Sequence, residues 1–131
     1  MPQLLTKKAL QEHLGVGRPR TEELIDEFLH LAKILSKRTN IMFFHLDTVN
    51  YLLESKTKYS YQNKKKPLGS HLEMTEEDIN LLETRFTKKV FTKLVPHVNL
   101  MLGQKKRNTR PRSITEMFEE VYQRFEEFPE D

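Results

Sequence analysis

Cysteine is missing from all 131 residues, which excludes disulfide scaffolds, thiol nucleophiles and thiolate zinc sites. Only four glycines occur, none in the spacing of a phosphate-cradling loop. Apolar runs last a few residues, too short to cross a bilayer as a helix. The start, Met-Pro-Gln-Leu-Leu-Thr-Lys-Lys, lacks the apolar stretch of a secretion signal, so a cytoplasmic, soluble protein is expected. The histidines (His13, His30, His45, His71 and His97) neither stand at i, i+4 nor join carboxylates in a metal-ligand cluster. No serine, histidine and aspartate share a recognisable nucleophile context. These absences argue against an enzyme, and no cofactor is expected.

What is present is core-forming material and segregated charge. Eight Phe and four Tyr, with 37% hydrophobic residues, argue against a disordered chain. The length suits one compact domain or two very small ones. The net charge of +3 conceals strong asymmetry. Between Ser55 and Leu72 stand Lys56, Lys58, Lys64, Lys65 and Lys66 without an acid. Between Gln104 and Arg112 stand Lys105, Lys106, Arg107, Arg110 and Arg112, again without an acid. From Ser113 onward there are seven acids and one base, Arg124. Such runs are commonly solvated linkers, and flexible basic segments also neutralise nucleic-acid phosphates.

The first half carries an ordered series of signals. Thr6 is placed to cap a helix from Lys7 to Leu14, with Ala9, Leu10 and Leu14 on one face. Gly15-Val16-Gly17 ends it. After Pro19, Thr21 is expected to open a second helix whose first turn holds Glu22 and Glu23 and whose stripe is Leu24, Ile25, Phe28, Leu31 and Ala32. Ile34-Leu35 and Ile41 to Phe44 read as strands of a hairpin, joined by the basic turn from Ser36 to Asn40. Asp47 is expected to cap a third helix reaching about Ser55, with Val49, Leu52 and Leu53 inward.

The second half reads as a repeat. Thr75 caps a helix with Ile79, Leu82 and Phe86 inward, and Thr87 caps another with Val90, Phe91, Leu94 and Val98 inward. Pro96 should kink that helix or end it early. Leu100-Met101-Leu102 and Arg112-Ser113-Ile114 are expected to flank a basic turn as a second hairpin, and Thr115 to cap a last helix. The expected organisation is therefore a winged helix-turn-helix unit over 1–56, a basic connection over 57–73 and a second such unit over 74–131. The fold class is mainly α with short β-hairpins (α+β). Units this small bury little surface alone, so they should pack together as an internal dimer.

The order helix, turn, helix, wing, helix over about residues 5 to 55 resembles the winged helix-turn-helix of excisionases and of the MerR family. The stretch from Phe43 to Leu53 matches the family's second wing strand, polar step and capped helix. Taken over the whole chain, the length, the lack of cysteine and the apparent duplication resemble the TraN-type DNA-binding proteins of conjugative plasmids from Gram-positive bacteria. That resemblance implies binding of double-stranded DNA near an origin of transfer and regulation or repression of conjugative transfer. It leaves open contacts with other conjugation or relaxosome proteins, and it implies a monomer with internal pseudo-symmetry.

In a helix-turn-helix the start of the second helix meets base edges. That selects Arg18, Arg20 and Thr21, arginine being suited to a bidentate contact with guanine. Glu22 and Glu23 fit dipole complementarity better than cytosine reading. Lys37, Arg38 and Asn40 belong to the first wing. The second unit offers Arg85, Thr87, Lys88 and Lys89, and its wing Lys105, Lys106, Arg107, Arg110 and Arg112. Two rival readings remain. One is a protein-interaction adaptor that uses the acidic segment from Thr115, with Phe125 and Phe128; the other is an excisionase-like recombination directionality factor.

Overall fold

The computed structural model describes residues 3–39, 41–55, 71–103 and 113–124. Strand β1 (Leu4–Leu5) leads straight into helix α1 (Lys7–Leu14). The Thr6 hydroxyl caps α1 by accepting from the Ala9 amide at 3.2 Å. Gly15 ends it with φ of 70°, where its amide reaches back to the carbonyls of Gln11 and Glu12. A residue with a Cβ is strained in that left-handed conformation.

Helix α2 (Arg18–Glu27) begins three residues before the expected start. Gly17 is its N-cap and Pro19 lies in its first turn, where the missing amide hydrogen costs nothing. Thr21 is therefore inside the helix, buried, with its hydroxyl donating to the Gly17 carbonyl at 2.9 Å. The helix also ends sooner than its apolar stripe suggests. Phe28 breaks it with φ of −154°, and a separate 3-10 helix, Leu29–Ala32, carries the stripe onward. Over four residues a period of 3.0 and one of 3.6 both keep side chains inward.

Strands β2 (Lys33–Ser36) and β3 (Met42–His45) form the expected antiparallel hairpin, closed by the Ser36 amide on the Ile41 carbonyl at 3.0 Å. Helix α3 (Leu46–Glu54) follows directly. Its cap is His45 rather than Asp47: the imidazole accepts from the Thr48 amide, and Asp47 lies in the first turn.

Strand β4 (Leu72–Met74) pairs parallel with β2, giving one sheet in the order β1-β3-β2-β4. It opens the second half as β1 opens the first. Thr75 then caps helix α4 (Glu76–Arg85) in a reciprocal box with Asp78. Thr87 caps helix α5 (Lys88–Gly103) through the Val90 amide at 3.2 Å. Helix α6 (Ile114–Arg124) closes the described chain.

Three expectations for this half are corrected. Of the two outcomes expected at Pro96, a kink or an early end, the early end does not occur, since α5 runs through it to Gly103. The Thr92 carbonyl, which Pro96 cannot serve, is approached instead by the Thr48 hydroxyl at 3.5 Å. Leu100 to Leu102 are helical, not a strand. This part of α5 touches apolar groups on several sides, Leu100 in one core and Met101 and Leu102 in the other, so its sequence shows no polar face. The last helix is capped by Ser113 with Glu116 in a second reciprocal box, so Ser113 and Ile114 belong to a helix start rather than a strand.

Two apolar cores hold the elements together. Leu5, Leu10, Leu24, Phe28, Leu29, Leu31, Phe44, Val49 and Leu52 form the first, under α1, α2 and α3. Ile34, Leu72, Met74, Ile79, Leu82, Phe91, Leu94, Val98 and Phe118 belong to the second, under α4, α5 and α6. The short sheet contributes to both, since adjacent strand residues face opposite ways: Leu4 packs in the second core and Leu5 in the first. No described helix is long and apolar enough to cross a membrane.

Candidate nucleic-acid interface

The first turn of α2 presents Arg18 and Arg20 to solvent, because Gly17 starts the helix and Pro19 sets its direction. Both arginines are pre-positioned by acids on their own helix. Arg18 Nε donates to Glu22 Oε2 at 3.3 Å, and Arg20 Nη1 donates to Glu23 Oε1 at 3.0 Å. Glu22 also accepts from Lys7 Nζ at 3.2 Å, which ties α1 to α2. The hydrogen bonds from Lys7 and then Arg18 hold the Glu22 carboxyl below the usual carboxylate range. The two glutamates are thus spent on neighbouring cations. With Nε of Arg18 engaged, its terminal nitrogens remain for a bidentate contact.

Thr21, grouped with these arginines from the sequence, is buried and committed to Gly17, so it is not presented with them. Lys37 and Arg38 stand exposed in the turn of the hairpin. Asn40 lies outside the described residues, as do Lys105, Lys106, Arg107, Arg110 and Arg112.

The second helix pair differs from the first in how its cations are used. Arg85 of α4 is paired with Glu119 of α6. Lys88 Nζ lies 3.0 Å from Asp47 Oδ2, and that contact raises the lysine's pKa. Both residues therefore fasten elements of the fold to one another. Thr87 is exposed but serves as the α5 cap, and Lys89 is exposed beside it.

Residues that sequence reasoning did not single out hold this surface in place. The buried Asn99 amide of α5 donates to the carbonyls of Leu31 and Lys33, fixing the segment between α2 and the hairpin. Lys7 completes the charge network on α2, and only proximity in the fold reveals it. Among the described residues, no group of three or more histidines and carboxylates is arranged to hold a metal ion.

Neither protein-family models, nor curated proteins, nor solved structures yield a match to this chain.

Proposed function

We propose that the protein binds double-stranded DNA, with α2 in the major groove and the β2–β3 hairpin as a wing on the adjoining backbone. One observation carries this reading. A helix, a glycine turn and a second helix are followed by an antiparallel hairpin and a third helix, with exposed arginines at the start of α2 and exposed cations at the hairpin tip. That is the arrangement in which a second helix reads base edges while a basic hairpin holds phosphates.

The second half supports a further, unequal contact. It repeats the order strand, threonine cap, helix, tight turn, helix. Two of its candidate cations, Arg85 and Lys88, are paired within the fold, so Lys89 and the basic segment 104–112 are its remaining contribution to affinity. A second helix pair in the same chain, without a described wing of its own, would reach a major-groove segment about 10 base pairs from the first. The resemblance to TraN-type proteins extends the reading to a plasmid's origin of transfer and to control of conjugative transfer, with no catalytic step and no cofactor.

Selection from a random duplex library at about 150 mM salt tests the proposal. A motif with two half-sites about one helical turn apart supports two reading units, and a single half-site supports α2 alone. No enrichment, together with capture of a basic protein partner by α6, would favour the adaptor reading instead.

A further inference from the structure

Four large apolar side chains stand out in solvent among the described residues, and two of them are neighbours at the end of the wing: Ile41, 50% exposed, and Met42, 42% exposed. They are not on a loose tip. Met42 is paired with Leu35 in the ladder, and the Ile41 carbonyl accepts from Ser36 at 3.0 Å. Ile41 borders the turn and Met42 begins β3, so an apolar step stands at the hairpin end. Lys37 and Arg38 are exposed in the turn immediately beyond.

A ladder-paired hairpin whose apolar end adjoins two exposed cations is poorly suited to an apolar protein pocket, which would have to desolvate the two charges. It suits a duplex groove, where phosphates line the rim and stacked bases lie within. Resting on the DNA-binding reading above, we propose that the wing end is a wedge that bends DNA. Lys37 and Arg38 hold the flanking phosphates, and Ile41 or Met42 presses between base pairs. The cost of unstacking is lowest at flexible pyrimidine–purine steps, so the wedge favours such a step at a position no hydrogen bond reads.

The test uses the full chain and short duplexes labelled at both ends, in low salt, where sequence-independent binding suffices. Energy transfer between the ends should report a bend of tens of degrees when wild type binds. Wild type should also prefer, several-fold, a duplex with one central mismatch, because that step is already partly unstacked. The double variant Ile41→Ser, Met42→Ser removes two half-exposed apolar side chains, and its melting temperature checks that it still folds. It should bind with the bend at least halved and the mismatch preference lost. If it fails to bind either duplex, the wild-type mismatch preference decides the matter alone. A straight complex, a bend retained in the variant, or a change in sedimentation showing that these residues join two copies overturns the wedge. Failure of wild type to bind any duplex overturns the DNA-binding reading itself, and is distinct from a straight complex.

Discussion

His45 and Glu83, 38 residues apart, meet across the two halves of the molecule, with imidazole Nε2 3.2 Å from carboxylate Oε2. Nδ1 of the same ring accepts from the Thr48 amide and lies 2.7 Å from the Thr48 hydroxyl. The Phe91 ring packs against the imidazole in a T-shaped contact with centroids 5.3 Å apart. One side chain therefore caps α3 and joins it to α4 and α5. Its burial pushes the imidazole below its ordinary value of 6.5, against the opposing pull of Glu83.

This burial sets a direction for stability against pH. Above about 6.5 His45 is neutral in folded and unfolded chains alike, and its contribution to stability is complete. As pH falls from there toward the lower folded value, the unfolded chain takes up the proton first, so stability declines. Urea midpoints measured between about pH 7.5 and 5.5 should show this decline in wild type. His45→Gln should be less stable at the upper end and show a flatter profile.

Asn99 should be among the costliest polar positions. Replacing it with Leu leaves the buried carbonyl of Leu31 and the partly buried carbonyl of Lys33 without this donor. A loss of about 2–3 kcal/mol is expected from equilibrium unfolding.

Arg18→Ala and Arg20→Ala should leave stability within about 0.5 kcal/mol, since both are exposed and their pairs are on the surface. Their effect should fall on recognition. Discrimination between the selected site and a scrambled duplex should drop by about tenfold for each arginine, as loss of a bidentate base contact implies. An equal loss on both duplexes would reduce them to phosphate contacts.

Lys37→Ala with Arg38→Ala should weaken specific and scrambled duplexes alike. The slope of log affinity against log salt should flatten by about two, one for each phosphate contact removed.

The local signals in the sequence were legible where a side chain acts on its own backbone. Thr6, Gly15, Thr75 and Thr87 mark helix ends that the structure retains. The hairpin was legible too, because Ile34-Leu35 and the run from Ile41 to Phe44 flank a polar turn. Tertiary contacts were harder to read. β4 pairs parallel with β2 across a long separation, and no periodicity announces that pairing. Leu100 to Leu102 read as a strand because a helix embedded between cores loses its polar face. For the candidate site, the sequence placed Arg18 and Arg20 near α2 and Lys37 and Arg38 on the wing. It did not reveal that Thr21 points inward or that Asp47 and Glu119 occupy Lys88 and Arg85. Those facts depend on where separate helices meet.

If the protein binds DNA as proposed, α2 and the wing face the duplex. Backbone amide shifts of the labelled protein, titrated with a mixed-sequence duplex in low salt, test it most directly. The largest changes should fall from Arg18 to Glu23 and around Lys37 to Thr39, with α6 little affected. Changes confined to α6, or none up to saturating DNA, would contradict it.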